Sequence, residues 1–108
     1  MSSEHILVVD DEVDLATSCQ RLLQGKGYQV SLSSSAEEAL ECIAKKEVHL
    51  VLTDLKMPGM GGMELLRTLR AEHPEVLVIM MTAYSTVEDA VEAMALGAAN
   101  FVPKPFTP

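Results

Sequence analysis

The sequence has no tryptophan, few other aromatic residues and few basic ones. Phenylalanine and tyrosine number two each, so a folded core must be built from aliphatic side chains. Eight Lys and Arg residues stand against sixteen Asp and Glu, which gives a formal net charge of −8. Nucleic-acid backbones require a basic surface. We therefore expect no direct contact between this chain and nucleic acid.

Cysteine and long apolar runs are also scarce. Cys19 and Cys42 lie within helical patterns and lack metal-ligand spacing, which favours free thiols in a reducing compartment. No run approaches the roughly 20 apolar residues of a membrane span. The N-terminus lacks the basic start and apolar stretch of a signal peptide. We therefore expect one cytoplasmic domain, comprising residues 1–108, that makes no membrane contact.

The most informative stretch spans residues 50–62. Residues 50–53 form a short apolar run that is typical of a strand buried on both faces. Pro58 and Gly59 cannot continue that strand, so Asp54 is expected at its carboxyl end, beneath a loop. Ligands bind at that edge of open α/β sheets. Taken alone, Asp54 is equally well explained as a helix cap or turn residue.

Strand and helix patterns alternate along the whole chain. Four further strands are predicted, at residues 6–9, 29–33, 76–81 and 100–102. Helical patterns separate them, and the more polar strand at 29–33 is expected at a sheet edge. This alternation predicts an α/β fold with a parallel sheet and helices on both faces.

Two S-x-x-E sequences predict helix starts, at residues 35–38 and 85–88. In the helix after the second one, Val87, Val91 and Met94 are expected to face the core. A further helix should follow the last strand, but the chain reaches Pro108 first. We therefore expect the chain to be an N-terminal fragment of a longer protein, with removal or lack of resolution of the final element as the alternative. Part of the sheet's apolar face would then be exposed and open to self-association.

Polar residues follow four of the five predicted strands. They are Asp10 and Asp11, Asp54, Thr82 and Lys104. Because parallel strands end at one edge, these groups should lie together, which makes the cap interpretation of Asp54 a minor one. Three carboxylates there repel one another unless a cation binds. Oxygen ligands without His or Cys favour Mg²⁺, with Mn²⁺ as an alternative.

A carboxylate beside Mg²⁺ and an ammonium group is suited to phosphoryl transfer. Asp54 can attack phosphorus in line while the metal and Lys104 neutralise charge. The Thr82 hydroxyl can donate a hydrogen bond to a phosphoryl oxygen, and the small Ala83 leaves room for the group.

These motifs carry a family resemblance. The sequence resembles the receiver domain of bacterial two-component response regulators through Asp10-Asp11, Thr-Asp-Leu-Lys-Met-Pro-Gly-Met-Gly-Gly around Asp54, Thr82-Ala83 and Lys104-Pro105-Phe106. The resemblance implies a flavodoxin-like, doubly wound sheet of five parallel strands in the order 2-1-3-4-5, here without its last helix.

The resemblance also implies roles for individual residues. Asp54 would be the phosphoacceptor for a sensor histidine kinase. Asp10, Asp11, Asp54 and the main-chain carbonyl of Lys56 would hold the metal, and Lys104 would pair with Asp54 and then with the phosphoryl group. The domain would catalyse only its own phosphotransfer and slow dephosphorylation, so it would not be an enzyme in the ordinary sense.

A conformational switch is the second implied feature. Thr82 would move toward the phosphoryl group, beside Ala83, and the ring of Phe101 would turn inward. The surface around the fourth helix and fifth strand would then change. This change would control the chain's own output domain, which would act in transcription. The same surface could support a homodimer. The Lys104–Pro105 bond would be cis.

Other interpretations stay open at this point. Phe101 is nearly as well explained as a core aromatic residue. A metal-dependent aspartyl-phosphate phosphohydrolase is possible chemically, but Lys56 stands where such enzymes have a second Asp. A receiver-like scaffold that is never phosphorylated would not need the complete acceptor set. Gly61 replaces the family's usual Asp or Asn and should alter only the turn before the third helix.

Overall fold

The computed structural model describes residues 4–82 and 86–103, with the side chain of residue 103 left undescribed. Strands and helices alternate along these residues. In chain order they are β1 (His5–Val9), α1 (Val13–Gly25), β2 (Gln29–Ser33), α2 (Ala36–Lys45), β3 (Leu50–Asp54), α3 (Gly62–Glu72), β4 (Leu77–Thr82), α4 (Val87–Ala95) and β5 (Asn100–Pro103).

The five strands form one parallel sheet in the order β2-β1-β3-β4-β5. The predicted fold class and strand order are therefore confirmed. β1 and β3 pair so that Val9 lies opposite Thr53, and Asp54 lies opposite Met81 of β4. Four helices cover the sheet within the described residues. This register brings the carboxyl ends of the three central strands together.

The sheet separates two apolar layers because alternate residues of a strand point to opposite faces. The larger layer lies under α2, α3 and the inner side of α4 and includes Leu7, Val51, Leu66, Met80 and Ala93. The smaller layer lies under α1 and includes Ile6, Val8, Cys19, Leu52 and Met81. Both layers are almost entirely aliphatic, as the scarcity of aromatic residues requires.

The predicted cap of α2 is confirmed. The Ser35 hydroxyl accepts a hydrogen bond from the Glu38 backbone N–H at 3.1 Å. The Glu38 carboxylate in turn accepts one from the backbone N–H of Ser34 at 2.8 Å. These bonds satisfy donors that the first turn of a helix otherwise leaves without partners.

The predicted cap of α4 was misplaced by one residue. Thr86 is the N-cap, and its hydroxyl accepts from the Asp89 backbone N–H at 3.0 Å. Ser85, which was predicted to cap this helix, lies outside the described residues. Thr86 and Asp89 have the same three-residue spacing as the predicted pair, so either pair was compatible with the sequence.

The predicted inner face of α4 was wrong. Val87, Val91 and Met94 are 78%, 63% and 49% exposed, whereas Ala93 is fully buried. Ala93 packs in the larger apolar layer. Because side chains two and six positions before it point well away from it around a helix, Val91 and Val87 then lie on the outer side. The result is an exposed apolar stripe along α4, made of these three residues.

Part of the sheet beside α1 is open to solvent. A cavity of about 610 Å³ there is lined by apolar side chains that include Ile6, Leu23, Leu50, Leu52 and Ile79. This agrees with an incompletely covered sheet face, while self-association through it stays a prediction. Among the described residues, the helices are too short or too polar to cross a membrane.

Candidate functional site

Two buried carboxylates define the carboxyl edge of the sheet. Asp54 is the last residue of β3 and is 6% exposed. Asp10 directly follows β1 and is 1% exposed, and its backbone N–H donates to the carbonyl of Ser33 at 3.0 Å. Buried charges require a compensating partner. The sheet therefore places two acidic groups side by side at this edge, where a cation can bind.

Glu12 is the third carboxylate of this group. One carboxylate oxygen each from Asp10, Glu12 and Asp54 lies within 4.8 Å of the other two. Glu12 is the N-cap of α1, and its backbone N–H donates to Asp10 Oδ1 at 2.9 Å. That bond folds the chain back after β1 and carries the Glu12 side chain toward the edge.

Asp11 is exposed and is not one of these three converging carboxylates. Its predicted role as a metal ligand stays a prediction, as does that of the Lys56 carbonyl. Glu12 was not among the predicted ligands. Three acidic residues in succession after a strand were the only signal available, and their order does not reveal which side chains turn inward.

Gly62 fixes the position of Asp54 from behind. A Cβ atom at Gly62, the first residue of α3, would lie 2.2 Å from the carbonyl oxygen of Asp54 and 3.0 Å from Leu55 Cα. The backbone N–H of Gly62 also donates to the Leu55 carbonyl at 2.9 Å. The start of α3 therefore rests directly on the backbone that carries the acidic site.

The loop between β3 and α3 contains two further glycines with different constraints. Gly59 has a φ of +77°, a conformation that L side chains rarely adopt. Gly61 is the N-cap of α3 with an ordinary φ of −85° and makes no side-chain cap bond. A Cβ there would be 3.4 Å from its nearest neighbour, the Leu55 carbonyl. Gly61 therefore lacks the side-chain cap bond that Asp or Asn can make at an N-cap, and the expectation that it alters only this turn stays a prediction.

The predicted switch residues lie on β4 and β5. Thr82 ends β4, is 2% exposed and lies opposite Pro103 of β5. Phe101 is half-buried, packs against the larger apolar layer and lies opposite Met80. This position fits both a core residue and a moving ring. Ala83, Lys104 and Pro105, including the predicted cis bond, lie outside the described residues.

The opposite edge of the sheet is polar for structural reasons. The His5 backbone N–H donates to His49 Nδ1 at 2.9 Å. The two ring nitrogens of His5 lie 3.1 Å from the Glu47 carbonyl and 2.7 Å from Ser31 Oγ. These bonds tie the amino ends of β1, β2 and β3 together. His5 and His49 therefore lie at the edge of the sheet opposite to the acidic carboxyl edge.

Comparison with known proteins identifies the family of this chain. The family model described as "Response regulator receiver domain" matches residues 6–108 of the chain. The chain belongs to this family. It is 45% identical over 100 residues to the transcriptional regulatory protein ZraR of Escherichia coli O157:H7, covering 93% of this chain and 23% of ZraR. The receiver domain described here thus spans about a quarter of that relative's length.

Solved receiver domains have the same architecture. A CheY-like receiver from Methanospirillum hungatei JF-1 superposes with a TM-score of 0.93 at 34% identity, covering 99% of this chain and 86% of that one. A response regulator from Burkholderia pseudomallei, with a phosphorylated aspartic acid, a calcium ion and citrate, gives a TM-score of 0.90 at 28% identity, covering 97% and 62%. The predicted family is therefore confirmed.

Proposed function

We propose that this receiver domain is a phosphorylation-dependent switch whose phosphoacceptor is Asp54. The donor is the phosphohistidine of a sensor histidine kinase, and the controlled partner is an output domain of the same protein that acts in transcription. The observation that carries the proposal is the buried position of Asp54 at the end of β3, within 4.8 Å of two other carboxylates. The transcriptional role of the relative ZraR supports the choice of output.

The proposed chemistry is an in-line phosphoryl transfer. A carboxylate oxygen of Asp54 attacks phosphorus, the new P–O bond forms, and the P–N bond to the donor imidazole breaks. The electron pair of that bond returns to the imidazole nitrogen, which takes up a proton. The Thr82 hydroxyl donates to a phosphoryl oxygen from the end of β4, and Lys104 supplies a positive charge.

The donor set fits a hard divalent cation. Three carboxylates offer oxygen atoms only, which suits Mg²⁺ or Mn²⁺ better than zinc. When bound, the cation would neutralise charge on the phosphoryl oxygens. Asp10 and Asp54 would hold it, with Asp11 and the Lys56 carbonyl as the further ligands that the family resemblance implies.

The proposed output surface is the region of α4 and β5. The exposed stripe of Val87, Val91 and Met94 gives α4 an apolar surface suited to protein contact. Thr82 lies at the end of β4, from which the chain continues toward α4. Movement of Thr82 toward the phosphoryl group would therefore displace the start of α4 and shift the balance between two conformations.

Intact mass after incubation with acetyl phosphate tests the acceptor. We expect one phosphoryl group on the wild-type domain with Mg²⁺ and none without it. Asp54→Asn removes the nucleophile while keeping the shape, so it should take up none. Asp14→Asn, which changes an exposed acid in the first turn of α1 by the same chemistry, should behave as wild type.

Backbone chemical shifts test the switch separately. A phosphoryl mimic bound to the domain should move amide signals of α4 and β5 more than those of α2. A lack of phosphorylation by both acetyl phosphate and a histidine kinase would contradict the proposal and favour a receiver-like scaffold. Phosphorylation without any change in α4 would contradict the switch alone.

A further inference from the structure

We propose that Arg70 of α3 is a positioning residue that holds the carboxyl-terminal end of α4 in place, so that α4 turns about this end when the domain is phosphorylated. This inference rests on the proposed function, because it assumes that α4 responds to phosphorylation and names the residue that limits how the helix moves. Its basis is the position of Arg70 between the start of β4 and Gly97, the glycine that follows α4.

The Arg70 side chain packs against the backbone of Gly97. A Cβ atom at Gly97 would lie 2.7 Å from Arg70 Cδ and 3.3 Å from Arg70 Cγ, so the methylene stem occupies the space that a side chain would need. Gly97 has a φ of +105°, and its N–H donates to the Met94 carbonyl at 3.1 Å. The N–H of Ala98 donates to the Ala93 carbonyl at 3.0 Å. These two bonds form a Schellman motif, so Arg70 lies against the turn that ends α4.

The guanidinium group of Arg70 is bonded to the backbone at the start of β4. Its Nη2 donates a hydrogen bond to the carbonyl of Val76, which is 2% exposed and directly precedes β4. α3 is itself anchored, since Leu66 and Leu69 are fully buried. The last turn of α4 has no basic residue, and the carbonyls at a helix C-terminus carry a partial negative charge. Arg70 therefore brings a positive charge to the end of α4 from an anchored neighbouring helix.

The two ends of α4 are held unequally. Ala93 is fully buried, and Leu96 packs against the larger apolar layer. Arg67 of α3 also forms its ion pair with Glu92 in this half of the helix. Residues 86–88, at the amino end of α4, are exposed. Among the described residues, the contacts that hold α4 therefore concentrate toward its carboxyl end.

This difference defines how α4 can move. The amino end of α4 follows Thr82 in the chain, whereas the carboxyl end is the one that Arg70 contacts. α4 has nine residues and is therefore about 14 Å long. A displacement that begins at the amino end should decrease along this length toward Gly97. In the exposed apolar stripe, Val87 would then move most and Met94 least.

Amide hydrogen exchange, measured with and without the phosphoryl mimic beryllium fluoride in the presence of Mg²⁺, tests this inference. The probes are the N–H groups of Gly97 and Ala98, which close the end of α4. In the wild-type domain, the mimic should move the chemical shifts of residues 87–90 but change exchange at the two probes by less than about twofold. Arg70→Met removes the guanidinium group, so the carboxyl end should also move, and the mimic should speed exchange there by about tenfold or more.

Two further variants serve as controls. Arg70→Lys keeps an aliphatic stem and a positive charge, so its response to the mimic should lie between those of the wild type and Arg70→Met. Arg21→Met makes the same chemical change at an exposed position of α1 and should behave as wild type. Each variant is compared with itself, with and without the mimic. A purely structural role of Arg70 would therefore speed exchange equally in both conditions.

The outcomes separate this inference from the proposed function. Exchange that becomes faster in Arg70→Met only with the mimic, and partial recovery in Arg70→Lys, would support it. An equal increase in both conditions would overturn it and leave Asp54 as the acceptor. Faster exchange at the probes in the mimic-bound wild type would do the same, which keeps the inference testable even if circular dichroism shows Arg70→Met to be unfolded. If the shifts of residues 87–90 did not move in the wild type, both this inference and the proposed switch would fail.

Discussion

Replacement of Gly62 by alanine should destabilise the domain and disturb its acidic site together. Alanine is favoured over glycine in helices by about 1 kcal/mol, so propensity alone predicts a gain. Packing opposes it, because the added Cβ would lie 2.2 Å from the Asp54 carbonyl oxygen and 3.0 Å from Leu55 Cα. These neighbours are backbone atoms, which cannot rotate out of the way as a flexible side chain can.

The magnitude follows from the displacement that this contact requires. A carbon and an oxygen in ordinary contact are about 3.4 Å apart, so α3 or β3 must move by roughly 1 Å. Overpacking a dense core costs about 1–3 kcal/mol or more. The clash here is against rigid backbone, so we place its cost at the upper end. After the helical gain, we expect a net loss of about 2 kcal/mol and a Tm lower by roughly 10 °C.

Urea unfolding followed by circular dichroism measures the loss, since the domain has no tryptophan for fluorescence. Gly61→Asn is the matched control at the adjacent position. Its Cβ would be 3.4 Å from the nearest atom, and Asn is a good N-cap, so stability should rise by a few tenths of a kcal/mol. Equal stability of Gly62→Ala and wild type would refute the packing argument. Phosphorylation of Gly62→Ala should also be slower, because the displaced carbonyl belongs to Asp54.

Three further predictions concern the helices. Ser35→Ala should lower the free energy of unfolding by about 1 kcal/mol, because it removes the cap of α2; a loss below a few tenths would show that the 3.1 Å bond is unimportant. Arg67 and Glu92 form an exposed ion pair at 3.1 Å between α3 and α4. A double-mutant cycle on the free energy of unfolding should give a coupling energy of about 0.2–1 kcal/mol that decreases as salt is added. A coupling energy that did not change with salt would contradict this. Val91→Ser, at an exposed position, should change the free energy of unfolding by less than about 0.5 kcal/mol. Ala93→Leu, at a buried position, should lower it by about 1–3 kcal/mol. A larger loss in Val91→Ser than in Ala93→Leu would mean that α4 is rotated about its axis.

The parallel sheet and the edge at which the candidate site lies were predictable from residue patterns, whereas the strand order was predicted only from the family resemblance. Apolar runs with turn signals gave the strands, and their alternation with helices gave a parallel sheet. Once the strands are parallel, Asp10, Asp54 and Thr82 must meet at one edge. The site is in this sense a consequence of topology, and no side-chain detail was needed to place it.

The orientation of α4 and the position of Glu12 beside Asp10 and Asp54 could not be predicted for a common reason. Both depend on small rotations about an element, which a pattern of residue types does not determine. On α4, hydrophobicity favours Val87 and Val91 as the inner face, but the helix packs against the sheet through the smaller Ala93. After β1, the turn into α1 decides whether Asp11 or Glu12 faces Asp54.

The arrangement of the histidines gives the domain a built-in set of spectroscopic reporters. His5 begins β1, His49 immediately precedes β3, and His73 is the C-cap of α3 before β4. All three of the chain's histidines therefore lie toward the amino edge of the sheet, with His49 separated from Asp54 by the length of β3, or roughly 16 Å. Imidazole proton signals that move on phosphorylation would show that the response reaches the amino edge of the sheet, and signals that stay fixed would confine it to the carboxyl half of the domain.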